Sequence, residues 1–246
     1  MEGFLEHVNG VFDYMTSQTF AAAAANTLKL TLLAQLLGVA LGFLLALGKM
    51  SKWSVLNSAA NGYIWFFRGI PVLVQLIFVF NALPQFGIRL SGFECALIAL
   101  ALNEAAYMAE IIRSGLSAVS KGQKRAAHVL GMNNWQTMRH VVLPQAVRLI
   151  VPPTGNQFIG MLKTSAMASV VGYMDLLLTA QQAASATFNY VDTLIAAVIY
   201  YLVFTALFTL LQGYIERKMD VVKASERKQK LLIAKSGISG ESRSAA

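Results

Sequence analysis

Ser120-Lys-Gly-Gln-Lys-Arg-Ala-Ala-His-Val-Leu-Gly131, followed by Met132 to His140 and then Val141-Val-Leu-Pro144, is a polar and basic interruption between apolar stretches. Ser120 and Gln123 have capping-box spacing, which predicts a helix start. Ala126, Ala127 and Leu130 give that helix a close-approach face, and Gly131 is placed to stop it in the left-handed conformation. Asn133 or Asn134 N-caps a second helix through Trp135, Met138 and Val142. Pro144 then breaks the pattern and leads into the next apolar stretch. The expected product is a helix–turn–helix with Met132 and Trp135 near its turn. A plain solvated connector has little use for Met and Trp there, so the segment reads as a handle for a cytoplasmic partner.

The flanking sequence places this handle in a membrane protein. The 246 residues are 56% hydrophobic and 13% charged, with a mean hydropathy of +0.56. That is well beyond an ordinary soluble domain. Leu30 to Gly48, Gly69 to Ile88 and Thr193 to Ile215 carry no charge. Between Ser91 and Ile112 the charges are Glu94, Glu104 and Glu110, and between Leu149 and Met174 only Lys163. Each window is close to the roughly 20 residues that carry a helix across a bilayer. The fold expected is therefore an all-α integral membrane protein with about five transmembrane helices, near 24–48, 57–83, 93–112, 149–171 and 193–214. Residues 1–23 form an external, interfacial lead-in, and 24–216 the transmembrane domain, with its loop at 114–147. The basic stretch 217–246 is expected to be a disordered tail.

Sixteen of the twenty Lys and Arg residues follow the first span, border the interruption or follow the last span. By the positive-inside rule the N-terminus is outside and the C-terminus inside. The formal charge of +8 is thus a topology signal, and no nucleic-acid partner is implied. Three acids and no Lys or Arg within Met1 to Thr19 argue against a cleavable signal peptide. Cys95 is the single cysteine, which excludes an internal disulfide and a cysteine metal cluster. Within the spans, Gly38 and Gly42 have the spacing of close helix packing. Pro71 in Arg68-Gly-Ile-Pro71 should kink span two, with Arg68 snorkelling at the cytoplasmic boundary.

A carboxylate at membrane depth needs a cavity or a partner, which singles out Glu104. Tyr107 is one turn away on the same face. Asn156 and Gln157 offer amides to a zwitterion. Each has a structural alternative: Glu104 as partner of Lys163 or Arg68, Tyr107 as packing, the two amides as helix bridges. Lys163 either pairs with a carboxylate or points to the external boundary. Glu110 and Arg113 read as a near-interface ion pair. His128 and His140 form no metal site. There is no GxxxxGK[ST], H-E-x-x-H or GxSxG, so nothing marks the chain as an enzyme.

Ala126-Ala127, then Gly131, then Val141-x-Leu143-Pro144 resembles the EAA loop of bacterial ABC-importer permeases. The likeness extends through Thr27-Leu28, Arg68-Gly-Ile-Pro-Val-Leu-Val-Gln75, Ala106-Tyr107, Ala109-Glu110, Gly155-Asn-Gln-Phe158 and Leu162-Lys163. Together these look like the polar amino-acid branch, the histidine, glutamine and arginine permeases. The resemblance implies that Arg125, Ala126, Ala127, Gly131, Met132, Trp135, Leu143 and Pro144 meet an ABC ATPase subunit, which holds ATP and Mg. This chain would hold no cofactor. It further implies a second permease subunit, identical or related, a periplasmic solute-binding protein and an amino-acid substrate. Glu104, Tyr107, Asn156, Gln157 and Lys163 would border the substrate pathway. Arg125 stands where the family has the acid that names the motif, and Thr164 where relatives have Asp. An amide at Gln157, where carriers of basic amino acids often have an acid, points to a less cationic substrate. A self-contained channel or secondary transporter with a regulatory loop is the alternative function.

Overall fold

The computed structural model describes residues 2–219, apart from the side chains of Glu2 and Phe4. The tail expected beyond Met219 lies outside the described residues. Ten α-helices are described: α1 (Glu2–Thr16), α2 (Gln18–Lys49), α3 (Ser54–Gly69), α4 (Val72–Asn81), α5 (Gly92–Ala118), α6 (Lys121–Val129), α7 (Asn134–Thr137), α8 (Leu143–Thr164), α9 (Leu176–Thr187) and α10 (Tyr190–Met219). Leu83–Phe86 and Ser165–Val171 are 3-10 segments, and Met138–Val142 is a π-helical turn.

Helices α2, α5 and α10 are each long and apolar enough to cross a membrane. Helices α3 and α4 make a fourth crossing if the pair, bent by 97°, is one broken span. The 22 residues of α8 would reach across roughly 33 Å. Its Arg148, Asn156, Gln157 and Lys163 dilute the apolar signal that marks the other three. Helix α2 begins at Gln18, ahead of the apolar window, because the Ser17 hydroxyl accepts from the Phe20 N–H and caps it. Helix α1 lies separately against α10. His7 Nδ1 lies 2.7 Å from Asp192 Oδ1, and the Tyr200 hydroxyl donates to the Met15 carbonyl at 2.7 Å.

The most intimate contact is between α2 and α5. A Cβ placed on Gly38 would stand 2.7 Å from Glu104 Cβ, and one on Gly42 2.6 Å from Met108 Cβ and 2.9 Å from the Ala105 carbonyl. Ala34, Ala46, Ala101, Ala105 and Ala109 are buried on the two helices. With side chains this small, the two backbones approach closely enough for dispersion to hold them without a hydrophobic driving force. Leu30, Leu76, Leu100, Ala168 and Val171 continue this core towards α4 and the 3-10 segment.

The break between α3 and α4 is satisfied by side chains rather than left open. Proline has no N–H to give, and the turn frees carbonyls that hydrocarbon cannot hydrate. Gln75 Nε2 donates to the carbonyls of Phe67 and Ile70 at 3.0 and 2.9 Å, and Asn103 Nδ2 donates to Phe67 at 3.0 Å. The Tyr63 hydroxyl donates to the Leu102 carbonyl at 2.9 Å. These bonds hold the end of α3 against the middle of α5. Arg68 lies beside Tyr107, about three turns or more from either end of α5, with its side chain exposed.

Asp175 N-caps α9, its Oδ1 accepting from the Leu178 N–H at 2.9 Å, while Oδ2 makes no hydrogen bond among the described residues. Burial pushes its carboxyl up from 3.8 to about 6.

Gly42→Val should lower stability by about 1–3 kcal/mol, whereas Gly62→Ala, with nothing within 4 Å of the new Cβ, should not. Thermal midpoints in detergent compare the two. Because the folded carboxyl of Asp175 holds its proton more tightly than the unfolded one, stability should fall as pH rises from about 4 to about 6, then level off. Asp175→Asn keeps a capping acceptor and should remove that slope from a pH series of unfolding midpoints.

Candidate functional site

The polar interruption is built by local caps. Ser120 Oγ accepts from the Gln123 N–H at 3.4 Å and starts α6. At its end Gly131 adopts φ +80°, its N–H donating to the His128 carbonyl at 3.0 Å, while the Met132 N–H reaches back to Ala127 at 3.0 Å. This pair of bonds is the Schellman closure, which requires the left-handed residue. Asn133 then caps α7 in a reciprocal box with Gln136, both bonds at 2.9 Å.

Pro144 does not break the path as expected. It sits in the first turn of α8, preceded by the π turn, in which the Leu143 N–H bonds to Met138. The wider turn makes room for the proline ring where an α-turn would press it against the carbonyl four residues back. Of the residues assigned here, Ala127 is buried and Met132 half-buried, while Arg125, Ala126, Gly131, Trp135, Leu143 and Pro144 are exposed. Val129 (87%), Leu130 (78%) and Trp135 (69%) make an uncovered apolar tip. Nothing in the structure explains Arg125.

The second region is a polar cleft beside α5. One part, about 540 Å³, is bordered by Lys49, Asn61, Trp65, Arg68, Tyr107 and Glu110. Another, about 520 Å³, shares Arg68 and Glu110 and adds Arg113, Ser114, Leu149 and Pro153. Glu110 is paired with Lys49 and, at 3.0 Å, with Arg113. The Arg68 guanidinium lies 5.2 Å over the Tyr107 ring, within cation–π range.

Of the expected pathway residues, Glu104 and Gln157 meet each other, while Tyr107, Asn156 and Lys163 lie apart from that pair. Tyr107 borders the cleft. Glu104 is buried, with Oε1 accepting from Gln35 Nε2 at 3.1 Å and Oε2 from Gln157 Nε2 at 3.0 Å. It thus clamps α2 and α8 to α5, and its partners are amides rather than Lys163 or Arg68. Asn156 points the other way, accepting from Gln212 Nε2 at 3.0 Å. Lys163 is exposed and has no ion-pair partner among the described residues. Gln35, Gln75 and Gln212 were not singled out from sequence. An amide inside an otherwise apolar run was the available signal for each. Among the described residues no three His, Cys, Asp or Glu side chains are grouped to hold a metal.

Residues 38–221 match the family described as binding-protein-dependent transport system inner membrane component. The chain is 41% identical over 221 residues to an arginine transport system permease protein of Corynebacterium glutamicum, covering 84% of this chain and 70% of that protein. It is 40% identical to an arginine transport system permease protein of Bacillus subtilis, covering 79% and 90%. Its structure is similar to that of an amino acid ABC transporter crystallised with histidines, with TM-score 0.78, 44% identity and 81% and 94% of the chains covered. An inward-facing methionine ABC transporter shares the fold, with TM-score 0.71, 19% identity and 83% and 99% covered. With three quarters of its length matched, the chain belongs to the inner membrane components of binding-protein-dependent transport systems.

Proposed function

We propose that this chain is the membrane-spanning permease subunit of an ATP-driven importer of a polar amino acid. The observation that carries the reading is the loop: a rigid, doubly capped helix–turn–helix that offers Val129, Leu130 and Trp135 to a partner. Its setting is an apolar helical domain whose relatives are named amino-acid permeases. In this reading there are five spans, α2, the α3–α4 pair, α5, α8 and α10, with the N-terminus outside and the loop at 114–147 in the cytoplasm. Helix α6 is the coupling helix, and residues 24–216 are the transmembrane domain.

The chemistry of ATP and Mg belongs to a separate ATPase subunit. A second permease subunit, identical or related, completes the pathway, and a periplasmic solute-binding protein delivers the amino acid. The ATPases, on closing, draw the two loops together, and the apolar tip transmits that displacement. Alternating access then requires only that the loop bind differently in the two states. The stiffness of the loop matters to this step, because a frayed connector would absorb the movement.

Of the pathway residues, Tyr107 meets the cleft directly. Glu104 acts through Gln157, holding that amide in place across the α5–α8 contact. Asn156 serves the α8–α10 contact, and Lys163 the outer surface.

Co-expression with a cognate ATPase and uptake by reconstituted vesicles test the reading. Uptake that needs no ATP would sink it. Leu130→Asp combined with Trp135→Asp should cost about 2 kcal/mol or more of ATPase association, read by co-purification. Retention of the ATPase at the wild-type level would remove the loop's docking role. Glu104→Ala strands one buried and one half-buried amide and should lower the thermal stability by about 2–4 kcal/mol, and Glu104→Gln by less. A clamp predicts that Glu104→Gln imports the same amino acids as the wild type. Changed selectivity would make Glu104 a substrate contact instead.

A further inference from the structure

We infer that Arg68 is the anchor for the α-carboxylate of the transported molecule, an inference that rests on the amino-acid importer reading. Arg68 lies at the α3–α4 break, whose freed carbonyls are tied down by Gln75 and Asn103, and its side chain is exposed and open to a ligand. It borders both parts of the cleft beside α5, which share Arg68 and Glu110.

An exposed guanidinium that makes no ion pair is open to an anionic ligand. The counter-ion is not supplied by the cleft itself. Its lining holds three cations, Lys49, Arg68 and Arg113, against one carboxylate, Glu110. Glu110 is already engaged by both Lys49 and Arg113. Among the described residues, no carboxylate is within ion-pair distance of Arg68. The cleft therefore has a net positive lining and a guanidinium with no ionic partner.

The Tyr107 ring covers the guanidinium at 5.2 Å, an attraction that leaves its N–H groups available at the edges. Five donors in a planar fork match the two oxygens of a carboxylate, and such a pair is stronger and more directional than a lysine contact. The α-carboxylate is common to every amino acid. Arg68 thus sorts amino acids from amines without distinguishing side chains, which leaves side-chain choice to other groups.

The test is equilibrium binding of tritiated L-arginine and L-glutamine to the purified permease–ATPase complex without a solute-binding protein. Agmatine, which is arginine without its carboxylate, serves as competitor. The wild type should prefer arginine to agmatine at least about tenfold, a difference of roughly 1.4 kcal/mol. Arg68→Gln should weaken arginine binding by a similar factor and erase that preference. Arg68→Lys should fall between. A merely structural role would weaken both ligands alike and leave the preference standing, which overturns the inference. So would loss of pairing between permease subunits with the preference intact, because Arg68 would then belong to their interface. If Arg68→Gln does not assemble, Arg68→Lys decides, and an undiminished preference in it overturns the proposal. A wild type that imports amino acids but shows no preference for the carboxylate defeats Arg68 alone. A wild type that neither binds nor imports any amino acid defeats the importer reading as well.

Discussion

The approach of α2 to α5 is the constraint on which the rest of the structure depends. Two glycines one turn apart on α2 remove the side chains that would hold the helices apart, and Glu104 and Met108 occupy the space. Lipid tails are as apolar as leucine, so only contact distance and polar bonds distinguish this pairing from others in a membrane. Once the backbones are that close, Gln35 reaches Glu104, and Glu104 in turn reaches Gln157. One buried carboxylate thereby joins three helices. Nearer the loop, the paired Lys49 and Glu110 close the same contact.

The bend between α3 and α4 is a second consequence of satisfying backbone groups away from water. A proline alone would leave freed carbonyls in the middle of the bundle. The amides of Gln75 and Asn103 take them up, so a 97° turn is a defined structure rather than a weak point. The turn also sets Arg68 over the Tyr107 ring of α5. Local stereochemistry and a long-range amide from α5 together determine where that charge stands.

The loop follows a different logic. Its caps are all local: Ser120 to Gln123, the left-handed Gly131 closure, and the Asn133–Gln136 box. Helices as short as α6 and α7 are marginal alone in water. Capping both ends and burying Ala127 and Thr137 compensates for that shortness. The apolar tip stays uncovered while the base is fixed, an arrangement suited to transmitting force.

Much was legible from residues alone. Apolar windows, the distribution of basic residues and the cap signals identify a helical membrane protein with a projecting loop, because each depends on neighbours within a few positions. The Gly131 conformation and the Asn133 cap are read in this way. The partners of Glu104, the opposite orientations of Asn156 and Gln157, and the place of Arg68 over Tyr107 are not. Neighbouring residues on one helix point in different directions, and which helix each one meets depends on contacts between residues 36 to 69 positions apart. Pro144 shows the same limit, since a π turn converts an expected break into a continuous path. The sequence by itself determined what the chain is made of and where its local turns fall. Only the tertiary structure decided which polar groups are consumed as helix clamps and which, like Arg68, make no ion pair among the described residues, because a contact across helices exists only once the helices have packed.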